Sequence, residues 1–401
     1  MIPKEQICLL ADTMAGWQTP YGRPDPKKCP FIYTDTFVSS MNFHSPTFMA
    51  IGLYQAYEAT GEIKYKEAAD RYIVGYFACL RNPHNRPDFY AQTWLRLMED
   101  KFGPISPEQR MWANNILQWP FIQGMALAGY RWFRRYNPDE LALEAKASAL
   151  YEWMQYWRWD EGSYYRNGYG DLKKGTIDNA NSDDCCHMGR GLMGYYEVTK
   201  RKDVLADAEA LARYYLTEVD PGTFKGCWSS KAGTWVVAPT TVEGFEHLAG
   251  KKSCEVSWGF SSIGSIEFLL ELAQVTENAN LRMEIAEKCA SSMKWHFDTC
   301  QFEDGAIGLS ECDDKWLGIT AGAIMTYIWT RDTGFLTDTD IKSYRPKVEA
   351  AREWMIANVT PEGIDAGGYF KVTGHSKPKP PDNQAWLFGL TLQGLCALNK
   401  L

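Results

Sequence analysis

An all-α ring of six helical hairpins is the fold this sequence predicts, and three observations carry it. The chain repeats one pattern about six times: an apolar helix rich in small residues, a tight break, then a more charged helix. The breaks near Thr60, Asn137, Thr199, Glu277, Asp332 and the C-terminus lie about 54–78 residues apart, room for one helix pair each. Connections are asymmetric, short within a pair and long between pairs, at 159–181, 218–252, 298–309 and 358–380. Together these describe an (α/α)6 toroid, a single domain over residues 1–401 with short β-hairpin loops at one mouth.

The elements follow in order. The first inner helix starts at Ser45-Pro46, a hydroxyl cap before a proline at the first helical position, and stops at Thr60-Gly61. Its outer partner covers 62–80, and residues 88–101 read as one extra helix. The second inner helix starts near Trp112 and carries Gly124, Ala126, Ala128 and Gly129, with 138–158 outside it. The third starts at Ser182, carries Gly189, Gly191 and Gly194, and breaks at Lys200-Arg201-Lys202 before 203–217. The fourth starts at Ser253 and breaks at Glu277-Asn278 before 279–297. The fifth starts at Ser310, carries Gly318, Ala321, Gly322 and Ala323, and pairs with 341–357. The sixth starts near Pro381, and the N-terminal stretch 3–16 closes the ring as its partner. Glycine inside a helix costs about 1 kcal/mol relative to alanine. Close packing of six helices round one axis is the compensation. Serines ahead of first-turn carboxylates, as in Ser182-Asp183-Asp184, suit the positive end of a helix dipole.

Composition narrows the function. A net charge of −8 and the absence of any Lys/Arg-rich stripe argue against nucleic acid. No apolar run approaches 18 residues, so no membrane span is expected. The N-terminus has no signal-peptide pattern, which points to the cytoplasm; a leader removed beforehand would instead place the protein in the periplasm or outside the cell. Eleven cysteines without regular spacing read as reduced, buried thiols. Cys185-Cys186-His187 lacks a second pair at zinc-finger spacing, so neither metal nor cofactor is expected. A P-loop, a G-x-S-x-G elbow, a dinucleotide fingerprint and H-E-x-x-H are all absent. Aromatic residues reach 14% of the chain and recur beside glycine in the long connections, as in 159–165, 224–228, 302–305 and 367–370. Such faces beside polar groups fit a sugar, whose C–H face stacks while its hydroxyls bond. Short hairpins plugging the ring are the competing reading.

The segment L-Y-x-A-Y-E-A-T-G-E-x-K-Y-K-E-A-A (Leu53–Ala69), echoed by G-Y-Y-E-V-T (Gly194–Thr199), resembles the (α/α)6-barrel glycan-active enzymes. These include unsaturated glucuronyl hydrolases and related uronate-processing hydrolases and, more distantly, the sugar 2-epimerases. The resemblance runs over nearly the whole chain through its helix-pair signature. It implies glycan processing and catalytic aspartates at inner-helix starts. Ile177–Asn181 resembles the stretch carrying one of them; the other would fall near Asn42-Phe43-His44, where this chain has no aspartate.

The mouth where the inner helices start gathers the candidate residues. Asp178 ranks first, because it precedes a helix with no evident capping duty. Asp183, Asp184, Asp313, Asp314 and Glu255 follow as acid or base candidates, with His44 and His187 as imidazole candidates. Candidates for substrate binding are Asn42, Asn115, Asn179, Asn181, Trp258, Trp316, Asp382, Trp386, Tyr165 and Arg190. Arg190 is one of four arginines whose guanidinium fork matches a carboxylate. Carboxylates around an aromatic-lined mouth suit glycoside hydrolysis, which needs one protonated acid and one ionised base or nucleophile. The expected activity is therefore hydrolysis of a terminal sugar, a uronic acid among the candidates, from a plant or microbial glycan. Two alternatives stay open: β-elimination at a uronate by His44 or His187 with a loop tyrosine, and a sugar epimerase or non-catalytic glycan-binding protein. The expected partner is an oligosaccharide or glycoside.

Overall fold

The computed structural model describes residues 3–20, 41–80, 120–158, 182–220, 226–236, 259–309, 315–361 and 385–401, with a few isolated positions between them. The elements are α1 (Lys4–Gly16), α2 (Met41–Thr60), α3 (Ile63–Cys79), α4 (Pro120–Tyr136), α5 (Glu144–Tyr156), α6 (Ser182–Thr199), α7 (Lys202–Leu216), β1 (Trp228–Ser229), β2 (Thr234–Trp235), α8 (Gly259–Ala273), α9 (Ala279–Thr299), α10 (Leu317–Asp332), α11 (Asp338–Asn358) and α12 (Ala385–Ala397), then a 3-10 turn at Leu398–Lys400. They build the expected (α/α)6 toroid. Even-numbered helices form the inner ring, each packing on the next, and α12 returns to α2. Odd-numbered helices lie outside beside their hairpin partners, and α1 packs on α12 and α2, closing the outer layer. The extra helix expected over 88–101 falls almost wholly outside the described residues.

Burial follows the two roles. Every residue from Leu317 to Ile328 in α10, and from Pro120 to Phe133 in α4, is buried. In α11 only Tyr344, Val348, Ala351, Trp354 and Met355 are buried, the spacing of one apolar stripe facing the ring. Glycines set how closely the inner helices approach. A Cβ on Gly124 would stand 2.6 Å from the His187 carbonyl oxygen, one on Gly194 2.8 Å from that of Leu127, and one on Gly52 2.9 Å from that of Gly389. Both the α4–α6 seam and the α2–α12 closure therefore bring backbone against backbone. Any larger residue would push these helices apart.

Tight breaks close one end of the ring. Gly61 (φ +78°), Lys200 (φ +54°) and Gly334 (φ +76°) take the left-handed conformation that ends a helix. Just ahead of the first two, a threonine bonds in both directions. Thr60 donates to the Ala56 carbonyl (2.7 Å) and accepts from the Glu62 amide (3.2 Å); Thr199 does the same with Tyr195 (2.8 Å) and Arg201 (3.4 Å). At the fourth pair, Asn278 caps α9 by accepting from the Leu281 amide at 3.0 Å.

Three expectations need correction. The first inner helix begins at Met41, so Pro46 lies within α2 instead of opening it. Its ring φ fits a helix, and its missing N–H costs only one bond near the start. The fifth inner helix begins at Leu317, not near Ser310, because the preceding segment spends its backbone groups on bridges. Gly308 N–H donates to the Cys300 carbonyl (2.8 Å) and Trp316 N–H to that of Ile307 (3.1 Å). Trp228, expected in a sugar-facing loop, is core. It pairs opposite Trp235 in the β1–β2 hairpin, with the two rings edge-on at 5.2 Å. A buried chain of hydroxyls, Thr234 to Ser292 to Ser262, both links 2.6 Å, ties this hairpin to α9 and α8. The plug reading holds for this loop.

The starts expected near Trp112, Ser253 and Pro381 lie outside the described residues, where α4, α8 and α12 are described from Pro120, Gly259 and Ala385. The described Cys186, Cys227, Cys289, Cys300 and Cys396 are buried, as expected. Among the described residues no helix is long and apolar enough to cross a membrane.

Candidate functional site

Inner helices running the same way bring their N-terminal halves together at the end opposite the tight breaks. Four of those halves contribute rings: Phe48 from α2, Phe121 from α4, His187 from α6 and Trp386 from α12. Phe48 is the centre. The His187 imidazole meets it edge-on at 5.8 Å, and Trp386 tilts against it at 5.5 Å. Phe121 lies 6.2 Å from the imidazole on another side. The phenyl and indole rings are buried, whereas His187 is only half-buried, so the imidazole is the most open member of this floor. Cys186 Sγ stands 3.7 Å from Nδ1 of His187.

Arg190 follows His187 by one turn, on the same side of α6. Its guanidinium lies over the Phe48 ring, 4.9 Å from the centroid, and its Nε meets Glu267 of α8 at 2.7 Å. The side chain is 2% exposed. Glu267 also approaches Arg131 of α4 at 3.5 Å. Arg131 has two further carboxylates, Glu271 at 2.6 Å and Glu197 at 3.6 Å. Burial opposes the charge on Arg131, but Glu271 and Glu267 outweigh it and hold its pKa above the ordinary arginine value. The floor is thus aromatic above and ionic below, with Arg190 in both layers.

Of the residues singled out in the sequence, His187, Arg190 and Trp386 meet here around Phe48. Trp316 is buried at the start of α10, where Thr320 donates to its carbonyl at 2.8 Å and accepts from the Ile307 amide at 2.9 Å. Asn115, Tyr165, Asp178, Asn179, Asn181, Glu255, Trp258, Asp313, Asp314 and Asp382 lie outside the described residues. So do the side chains of Asn42, His44, Asp183 and Asp184, although their backbones fall in α2 and α6. Among the described residues no group of three His, Cys, Asp or Glu side chains is arranged to hold a metal. Sequence reasoning missed Phe48, Phe121 and Glu267. The two phenylalanines carried a weak signal, since each follows a proline by one or two residues in the N-terminal half of an inner helix (Pro46, Pro120). Glu267 carried none.

No family model and no curated protein matches the chain. Solved structures do. A glycosyl hydrolase of family 88 from Bacteroides vulgatus aligns with a TM-score of 0.61 at 14% identity, over 100% of both chains. A polysaccharide lyase aligns at 0.59 and 16% identity, over 88% of this chain and 89% of that one. Cellobiose 2-epimerase from Bacillus thermoamylovorans B4167 aligns at 0.57 and 11% identity, over 87% of each. At these identities the likeness establishes the toroid, a fold shared by several distant glycan-processing enzymes.

Proposed function

We propose that this toroid is a glycoside hydrolase that removes a terminal sugar from a glycan at the mouth floored by Phe48, Phe121, His187 and Trp386. The observation that carries the reading is the convergence of these four side chains, from four inner helices, at one end of the ring. Rings and one half-open imidazole fit the C–H face of a sugar with a polar group beside it. Similar toroids of known structure act on glycans, which supports the same substrate class here. Hydrolysis needs a protonated acid and an ionised partner. The proposed pair comes from the carboxylates at inner-helix starts, Asp178 first, then Asp183, Asp184, Asp313, Asp314, Glu255 and Asp382. Arg190 is the proposed reader of a substrate carboxylate. Its Nε is ion-paired with Glu267 at 2.7 Å, and none of its nitrogens donates a hydrogen bond among the described residues. A free fork of this kind favours a uronic acid over a neutral sugar.

A second reading, β-elimination, is favoured by one observation. His187 is half-open at the floor, and an imidazole is a suitable base for a sugar ring proton. One assay separates the two. Purified protein is offered nitrophenyl glycosides and uronate-containing oligosaccharides. Release of nitrophenol or of saturated sugars supports the hydrolase. Appearance only of the ultraviolet absorbance of a conjugated uronate replaces it with the lyase. Binding without turnover leaves a glycan-binding protein.

A further inference from the structure

We infer that Glu267, a residue on a neighbouring helix far from Arg190 in sequence, is the positioning residue that aims the Arg190 fork and so sets the mouth's preference for acidic over neutral sugars. The inference rests on the proposed role of Arg190 and adds a residue that does not itself touch the substrate.

The ionic layer is unevenly shared. Arg131 has three carboxylates within 3.6 Å: Glu271, Glu267 and Glu197. Arg190 has one among the described residues, Glu267, and meets it more closely, at 2.7 Å against 3.5 Å for Arg131. Glu267 is therefore bound to Arg190 first and leans on Arg131 second. An arginine fork is planar, so fixing Nε fixes the direction of Nη1 and Nη2. The plane is fixed as well, because the guanidinium lies over Phe48 at 4.9 Å. Two constraints on one planar group leave its far edge pointing in a set direction.

The backbone is built for this approach. Gly264 lies one turn before Glu267 in α8, and a Cβ there would fall 2.6 Å from Cys186 Sγ and 3.9 Å from Cδ of Arg190. Glycine lets α8 come close enough to α6 for a glutamate to reach Nε of an almost fully buried arginine.

Calorimetric binding of glucuronic acid and of glucose tests this on the full-length protein. The wild type should bind glucuronic acid more tightly than glucose. Glu267→Ala should weaken glucuronic acid by about tenfold or more, as expected for a misdirected charge-assisted contact, and leave glucose unchanged. Glu267→Gln, which keeps the length of the side chain and removes its charge, should lower the preference in the same direction, because the contact with Nε is an ion pair. If Glu267→Ala does not fold, Glu267→Asp replaces it; withdrawing the carboxylate by one methylene while keeping its charge should still reduce the preference. If Glu267→Ala, or Glu267→Asp in its place, keeps the preference or weakens both sugars equally, the positioning role is wrong while the Arg190 reading survives. A wild type with no preference overturns the Arg190 reading and the inference with it.

Discussion

The two ends of the inner helices are made of different chemistry. At the closed end, polar groups are matched with one another across helices: Tyr136 of α4 donates to Glu58 of α2, Arg135 of α4 meets Glu197 of α6 at 3.0 Å, and Arg131 meets Glu271 of α8 at 2.6 Å. At the mouth, the same helices present Phe48, Phe121, Trp386 and the half-open His187. Charge at the closed end is used up in fixed pairs. Rings and one half-buried imidazole at the mouth pack on one another instead of pairing charge with charge. A helix set thus divides labour along its length, one end fixing geometry and the other offering surface.

The largest expected effect separates the ends by activity. If the mouth is the catalytic end, Asp178→Asn should lose about 10²–10⁴-fold in kcat, the usual contribution of one positioned proton-transfer group. Its melting temperature should barely move. Asp313→Asn is the companion measurement; a residue that only caps a helix should instead lose about 1 kcal/mol of stability and keep near-normal turnover. Should both variants turn over normally, the carboxylates are not the machinery, and His187 and His44 become the residues to substitute.

The closed end should show the reverse pattern. Arg131→Met leaves Glu271 without the cation it meets at 2.6 Å, and breaking a buried pair in this way costs about 3–5 kcal/mol. Urea unfolding should register that loss as a lower midpoint, with catalysis at saturating neutral substrate little changed in the folded fraction. A loss below about 1 kcal/mol would mean that the ionic layer is not a structural brace.

These contrasts show which parts of the molecule were legible in the sequence. Outer helices were readable because a one-sided apolar stripe is a local pattern. Inner helices were readable because Gly124, Gly191 and Gly194 make sense only if another backbone comes very close. Breaks at Thr60-Gly61 and Thr199-Lys200 were readable because the threonine and the left-handed residue act within a few positions. The start of α10 was not, since Ser310 looks like a cap until Gln301 is seen to bridge Ile307 and Gly308 to bridge Lys315. Trp228 was misread because an aromatic beside glycine looks the same in a sugar platform and in a plug. Glu267 could not be found at all. Its partner is on another helix, and nothing adjacent in the chain distinguishes it from an ordinary helical glutamate.

A third contrast involves pH and the outer layer. His296, on α9, is fully buried, neither ring nitrogen has a hydrogen-bond partner, and burial pushes its pKa down to about 3 from an ordinary 6.5. A depressed folded pKa means that the unfolded chain takes up the proton first. Stability is therefore intact above pH 6.5 and falls as pH drops from there towards 3, by about 1.4 kcal/mol per unit. At pH 5 the loss should be about 2 kcal/mol. His296→Leu should flatten this part of the stability–pH curve. An unchanged slope in that variant would assign the acid sensitivity to other groups.

The smallest expected effects test whether the closed end really is one device repeated. Lys200 occupies the left-handed conformation that Gly61 and Gly334 occupy at the corresponding breaks, and it is the only described non-glycine residue with positive φ. That conformation costs a residue with a Cβ about 1–2 kcal/mol. Glycine removes the cost but loses about 0.5–1 kcal/mol through the greater freedom of the unfolded chain. Lys200→Gly should therefore stabilise the protein slightly, by about 0.5 kcal/mol. Gly61→Ala should do the opposite. A Cβ at Gly61 meets nothing within 4 Å, so the expected loss of about 1 kcal/mol comes from φ alone. Paired denaturant curves for the two variants would show shifts of opposite sign. Shifts of the same sign would mean that the two breaks, alike in backbone, are held by different surroundings, and that the repeat stops at the level of shape.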